Sequence, residues 1–245
     1  MSHVATRLAP RRELIAWAMY DFANSGYTTV VLTAIFNAYF VGVIAAGLDN
    51  PNNGLGTLLW SVAVGVANAM ILITAPVLGA IADYSAAKKK MLAFSTVGCI
   101  LMTAALGFAD PGDLIFSMIL LAGSAFLFGT GENLIAAFLP EISPPEKVGR
   151  VSGFSWALGY IGGMLVLAIC LFYIESVKAL GHSAEQYVPV TLWITAFVFM
   201  LAAAPTFIFL KERQQPSETT PDAISDFVRI GFSRLHQTLR HHHQF

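Results

Sequence analysis

The chain has 245 residues, of which 56% are hydrophobic and only 12% are charged, and its formal net charge is −1. An ordinary soluble domain carries about 25% charged residues. This composition excludes a soluble globular domain, because such a fold could not remove so much apolar surface from water.

Six long apolar runs follow one another along the chain. Each is close to the roughly 20 residues that an α-helix needs to cross a bilayer core of about 30 Å. The runs are residues 22–46, 56–81, 91–109, 114–139, 151–174 and 188–210. The sequence therefore predicts an all-α membrane protein with a six-transmembrane-helix bundle over residues 1–210. Short loops between the helices favour packing of sequential neighbours.

The basic residues of the connecting segments predict the orientation of the helices. The segments 1–13, 82–90, 140–150 and the region after 210 contain 13 lysines and arginines, whereas the alternate segments contain only Lys178. By the positive-inside rule, both termini are predicted to be cytoplasmic. We expect the first run to be a retained helix, since it is too long for a signal-peptide core. The predicted location is the cell (inner) membrane in a bacterium or the vacuolar membrane in a eukaryote.

Polar residues interrupt the first run in the stretch MYDFANSGYTTVV. Asp21 and Asn24 lie three residues apart and share a helix face, which Tyr20 and Tyr27 flank. Ionisable residues at membrane depth usually face a bundle interior or a water-filled path. These four residues are therefore predicted to bind a solute or to carry a coupling proton.

The fourth run contains a counterpart in the stretch GTGENLIAAF, where Glu132 and Asn133 lie well inside apolar sequence. The same cost of a buried charge predicts a cavity-lining role for them. Alternatives remain open for both carboxylates. Asp21 is otherwise a solvated residue near the interface or a partner of Arg11 or Arg12, and Glu132 otherwise makes a structural hydrogen bond to a neighbouring helix.

A short basic loop, GAIADYSAAKKK, follows the second run. Gly79 allows close packing of helix two, and Asp83 at the helix end can pair with a cation or with another helix N-terminus. We predict that Asp83 and Lys88 form a gating charge cluster with Glu141 and Arg150 of the next basic loop. The alternative is an ordinary positive-inside loop.

Small residues recur at the start of the fifth run. Gly149 and Gly153 form one small-xxx-small pair, and Gly159 and Gly163 form another. Such pairs let helix backbones approach closely within a membrane. They predict helix packing, either as a fixed contact or as a moving surface.

Three of these segments resemble a known transporter family. Gly79, Asp83 and the basic residues after them resemble the signature loop of the major facilitator superfamily (MFS), although Ala86 stands where that family has its second glycine. The stretch AWAMYDFANSGY and the run from Gly149 to Gly163 resemble the vacuole-effluxer branch, the autophagy-related amino-acid effluxers and their bacterial relatives. The resemblance implies the N-terminal half of a major facilitator fold.

This resemblance also implies a function. The protein would be a secondary active transporter of a small polar solute such as an amino acid, coupled to protons or another ion. Helices one and four would line the central cavity. Alternating access would need a second six-helix half as a partner, in the same chain if it continues past Phe245 or in another subunit.

A membrane enzyme and a membrane scaffold are the two functional classes other than transport. A membrane enzyme would need a nucleophile with a base, or clustered metal ligands, at membrane depth. No histidine lies within a predicted span, and Cys99 and Cys170 lie on different helices. No enzyme activity, catalytic residue, cofactor, metal site or nucleic-acid partner is therefore predicted. The alternative to a transporter is a non-transporting membrane scaffold or assembly partner.

The remaining segment, residues 211–245, is predicted to be a cytoplasmic linker. It contains an amphipathic helix at about 223–240, because apolar residues fall on one side of it. These residues are Ile224, Phe227, Val228, Phe232, Leu235 and Leu239.

Overall fold

The computed structural model describes residues 7–48 and 54–213, apart from the side chains of Leu48 and Asp83. These residues form helices and connecting turns, with no strand among them. Six of the described helices are long and apolar enough to cross a membrane, which confirms the predicted class. They are α1 Arg11–Ile44, α2 Leu55–Ser85, α3 Lys88–Leu106, α4 Leu114–Ala136, α5 Val148–Lys178 and α6 Ala184–Phe209. The predicted amphipathic helix lies outside the described residues.

Helix α1 begins well before the apolar run that predicted it. It starts directly after Pro10, a residue tolerated at a helix start because its missing N–H would be unpaired there anyway. Two segments of α1, Thr28–Ala34 and Phe40–Ile44, are wound as π-helix. Local widening of this kind is frequent at functional sites. The first of these segments directly follows the polar stretch that contains Asp21 and Asn24.

Helix α1 occupies the centre of the bundle and packs mainly against α5 and α6, while α4 packs against α3 and α2. Sequential packing therefore holds for α3–α4 and α5–α6. It fails for α2 and α3, which make few contacts although a tight turn joins them, and for α4 and α5, which pack mainly against other helices. Ala86 in that turn has a left-handed backbone with φ 48°, which glycine adopts at lower cost. A glycine at this position would suit the conformation better.

The contact between α1 and α5 is made through glycines. A Cβ atom on Gly162 would clash with the Phe22 carbonyl oxygen, and one on Gly163 would lie 3.2 Å from the Ser25 carbonyl oxygen. The two backbones therefore approach more closely than any larger residue would allow. Gly162 makes the closest approach, although only Gly159 and Gly163 were predicted to pack here.

The other predicted glycine pair has a different environment. A Cβ atom on Gly149 or Gly153 would have no described atom within 4 Å, and both residues are exposed. Neither glycine packs against another helix within the described part of the chain. A packing role for this pair stays a prediction.

Hydrogen bonds across the bundle hold α1 in place. The Trp17 indole donates to the Ile135 carbonyl over 2.8 Å, and the Thr206 hydroxyl donates to the Ala16 carbonyl over 2.7 Å. Both bonds are buried, and in lipid such polar groups find few other partners. They fix the first half of α1 to α4 and α6.

Replacing Gly162 with Ala is expected to lower the free energy of unfolding by about 1 to 3 kcal/mol, because the new methyl group overpacks the α1 backbone. Gly153→Ala on the same helix is the matched control, and its stability should be unchanged or up to about 1 kcal/mol higher. Thermal unfolding in detergent measures both. Equal melting temperatures for the two variants would contradict the close α1–α5 contact.

Candidate functional site

A cleft with a volume of about 350 Å³ lies between α1, α4 and α5. Its polar groups come mainly from α1, from the last turns of its first α-helical part and the first two residues of the π-helical segment that follows, and α5 contributes glycines and aromatic rings. The lining residues are Asp21, Asn24, Ser25, Thr28, Thr29, Glu132, Trp156, Gly159, Tyr160, Gly163, Met164 and Leu167.

Two carboxylates meet in this cleft. Asp21 lines it from α1 and Glu132 lines it from α4. The structure therefore brings together two acids that lie far apart in sequence. Among the described residues, no group of three or more histidine, cysteine, aspartate or glutamate side chains could hold a metal ion. The pair can instead attract a cationic group of a solute or exchange a proton.

Asn24 borders the same cleft and is only 3% exposed. Neither its Oδ1 nor its Nδ2 atom has a hydrogen-bond partner among the described residues. Buried polar groups are normally paired, and an unpaired one costs about 1–3 kcal/mol. The amide therefore has two N–H donors and one carbonyl acceptor without partners at the wall of the cleft.

The α5 side of the cleft is aromatic. The rings of Trp156 and Tyr160 lie edge to face with their centroids 6.3 Å apart, and both side chains are about two-thirds exposed. Neither residue was predicted as part of the site. Their spacing of four residues, beside the glycine face of α5, is the signal that could have identified them.

The predicted residues Tyr20 and Tyr27 lie elsewhere. The Tyr20 hydroxyl is 2.8 Å from the Thr96 hydroxyl on α3, and the Tyr27 hydroxyl is 2.8 Å from the Ser124 hydroxyl on α4. Both tyrosines are almost completely buried. They join helices rather than line the cleft, and a solute-binding role for them stays a prediction.

Asn133 also points away from its neighbour Glu132. It lines a separate pocket of about 330 Å³ between α2 and α4, together with Gly79, Lys88 and Thr130. Consecutive residues of a helix differ by about 100° in direction, so α4 supplies one polar residue to each pocket. The sequence prediction had placed both in one cavity.

A second polar site lies at the basic end of the bundle. The Lys88 ammonium is 2.9 Å from Oε1 of Glu141, and both side chains are almost fully buried. Glu141 lies in a short turn of helix, Leu139–Ile142, after α4, and its Oε2 accepts from the backbone N–H of Arg213 over 3.0 Å. Lys88 at the start of α3 and Glu141 after α4 are therefore bonded to each other, and Glu141 is also bonded to the chain after α6.

Arg213 extends this network to the first helix. Its guanidinium donates two hydrogen bonds of 2.7 Å to the two oxygens of Glu13. This bidentate bond raises the pKa of Arg213 above its ordinary value. Glu212 accepts from the backbone N–H groups of Lys88 and Lys89 at the start of α3, over 2.7 and 3.3 Å. Residues 210–213 thus form hydrogen bonds with the first turn of α1 and with the first turn of α3.

The predicted gating cluster is only partly assembled. Lys88 and Glu141 meet, but Arg150 lies apart in a groove beside α1. The side chain of Asp83 lies outside the described part of the chain. Sequence reasoning missed Glu13, Glu212 and Arg213. The signal was available in RREL and LKER, where acids stand beside bases at the start of α1 and just after α6.

Comparisons with known proteins agree with a membrane transporter. The family described as "Vacuole effluxer Atg22 like" matches residues 144–245. The "Uncharacterized MFS-type transporter YxiO" of Bacillus subtilis is 26% identical over 218 residues, which cover 88% of this chain and 50% of that protein. The "Probable quinate permease" of Aspergillus terreus is 32% identical over 127 residues, 49% of this chain and 22% of that protein. No solved structure gives a significant match.

The chain spans about half the length of the first of these relatives and less of the second. Both are named as a transporter or a permease, which suggests that this protein is not an enzyme. Together, the matches support an MFS-type family and the N-terminal half of its fold.

Replacing Glu141 with Gln is expected to lower the free energy of unfolding by about 1.5 to 3 kcal/mol, because the buried charge-assisted hydrogen bond between the Lys88 ammonium and the Glu141 carboxylate is lost. Glu146→Gln, on the exposed turn nearby, should leave stability unchanged. The double variant Lys88→Met with Glu141→Leu should recover most of the loss. Unfolding of the detergent-solubilised chain by heat measures all three, and a wild-type melting temperature for Glu141→Gln would contradict the structural role of the pair.

Proposed function

We propose that this MFS-type N-terminal half forms one bundle of a secondary active transporter. A small polar solute binds in the cleft between α1, α4 and α5. Access to the cleft alternates as this bundle rocks against a second six-helix half, with the solute near the midplane between them.

The observation that carries this proposal is the unpaired amide of Asn24. A buried donor and acceptor without partners destabilise the empty protein, and a solute that bonds to both recovers that cost. Asn24 lines the cleft, and because its amide atoms are buried in this structure, the side chain must turn toward the cleft when a solute binds. A purely structural asparagine would be expected to have partners within the bundle.

The other lining groups support a solute with a cationic end. Asp21 and Glu132 carry negative charge into the cleft, and the face of an aromatic ring such as Trp156 can attract an ammonium group. An amide beside two carboxylates then suits a molecule that has both a positive group and hydrogen-bonding oxygens. Amino acids are the solute class that we propose to test first.

A second half would explain the exposed polar surface of this one. An ionised carboxylate facing lipid at a helix centre costs about 2.5–3.5 kcal/mol on insertion scales. A partner bundle that encloses the cleft removes this cost. Gly149 and Gly153 have open space beside them, which such a partner could use for close packing.

The charge network at the basic end is proposed to act as the gate, on the cytoplasmic side by the positive-inside rule. Lys88–Glu141 and Glu13–Arg213 join α1, α3 and the segment after α6. If the bundle opens at this end, these bonds must lengthen or break. Gly79 and Asp83 remain candidates for the part of the gate that faces the second half, whereas a gating role for Arg150, which lies in a groove beside α1, stays a prediction.

Replacing Asn24 with Ala should raise KM for the solute by about 5- to 150-fold, the equivalent of about 1–3 kcal/mol for a lost buried hydrogen bond. Stability should not fall, because the side chain has no hydrogen-bond partner in the described protein. Uptake of radiolabelled amino acids into proteoliposomes, with the second half present, measures KM, and thermal unfolding measures stability.

Tyr27→Phe is the matched control for this experiment. It removes the bond to Ser124 and should lower the free energy of unfolding by about 0.5–1.5 kcal/mol, while KM stays the same. If Asn24→Ala loses stability and keeps its KM, Asn24 is structural and the proposed binding site is wrong. A protein that assembles with the second half but never changes solute flux would be a scaffold.

Replacing Glu132 with Gln should abolish accumulation driven by a pH gradient and spare solute exchange, because the amide cannot carry the proton that couples transport. Counterflow and gradient-driven uptake in the same proteoliposomes separate the two activities. Glu175→Gln, at the exposed far end of α5, should retain both. Normal accumulation by Glu132→Gln would show that the proton is carried elsewhere.

A further inference from the structure

A groove of about 460 Å³ lies between the beginnings of α1 and α5. Three basic and several apolar side chains line it. Those that matter here are Arg11, Ile15, Lys147, Arg150, Val151 and Phe154. None of them belongs to the cleft or to the charge network of Glu13, Lys88, Glu141 and Arg213.

The groove and the cleft open on opposite flanks of the α1–α5 contact. Gly159 and Gly162 face α1. At 3.6 residues per turn, Trp156 and Tyr160 project on one side of this contact and Phe154 on the other. The cleft is the side proposed to meet a second half, and the groove lies on the opposite flank.

The three cations of the groove are not neutralised by acidic residues of the described protein. Arg11, Lys147 and Arg150 form no ion pair with any described residue. Of the acids nearby in sequence, Glu13 is held by Arg213, and Glu146 is exposed on the turn before α5. Three positive side chains therefore converge with no counter-charge among the groove-lining residues.

The apolar side chains of the groove are equally accessible. Ile15 is 50% exposed and Phe154 is 51% exposed. They lie toward the membrane centre from the three cations, because sequence positions 15 and 154 are further along α1 and α5 than 11 and 150. A ligand that fits this order has an anionic head and a hydrocarbon tail.

We propose that the groove binds an anionic phospholipid. Its phosphate lies among Arg11, Lys147 and Arg150, and the first methylenes of an acyl chain lie against Ile15 and Phe154. Basic pockets between membrane helices are suited to such head groups. Inorganic phosphate would use the charges and leave the apolar half of the groove empty, so the apolar wall favours the lipid.

The test is lipid retention by the full 245-residue chain in neutral detergent, with native mass spectrometry as the readout. Phosphatidylglycerol should be retained in preference to phosphatidylcholine, and millimolar inorganic phosphate should not displace it. Arg150→Gln and Lys147→Gln should each weaken phosphatidylglycerol binding about fivefold, the contribution of one basic residue near an anionic head group. Phe154→Ala should weaken it as well.

Two further variants keep the result interpretable. Arg150→Lys preserves the charge and should bind nearly as well as the wild type. Lys90→Gln removes an exposed cation at the same end of the bundle and should have no effect. The proposal is overturned if phosphatidylcholine binds equally well, if inorganic phosphate displaces the lipid, or if Lys90→Gln reduces retention as much as Arg150→Gln.

Discussion

The glycine contact between α1 and α5 determines where the functional surfaces of this bundle lie. Because Gly162 and Gly163 allow the two backbones to meet, side chains on one flank form the polar cleft and those on the other form the basic groove. A larger residue at this contact would separate the helices and spread both surfaces. Transport and lipid binding, as proposed, therefore depend on the same few glycines and use different sides of them.

The buried charges at the basic end act on the bundle as a whole. The Glu13–Arg213 bond joins residues that lie 200 positions apart, so it connects the first helix to the segment after the last. Lys88–Glu141 is dry and costly to separate, whereas Glu13–Arg213 is partly exposed and weaker. If these pairs form the proposed gate, the weaker Glu13–Arg213 pair would open before the Lys88–Glu141 pair.

The helices and their apolar character could be predicted from sequence because length and composition alone decide them. The polar positions Asp21 and Glu132 were also visible, since charge is rare at membrane depth. The hydrogen-bond partners of the polar residues could not be predicted from the sequence. Whether Tyr20 faces the cleft or Thr96 depends on how α1 is rotated, and the long-range pairs of Arg213 depend on closure of the bundle.

We propose that the cleft is a water-filled path for the solute. Thiol accessibility in intact membranes tests it directly, since native Cys99 and Cys170 are fully buried and should contribute little background. We expect a cysteine at Met164, in the cleft, to react with a membrane-impermeant maleimide and to be protected by the solute. A cysteine at Leu101, on the apolar face of α3, should stay unlabelled. Equal reactivity at the two positions, or no protection at Met164, would contradict a solute path through this cleft.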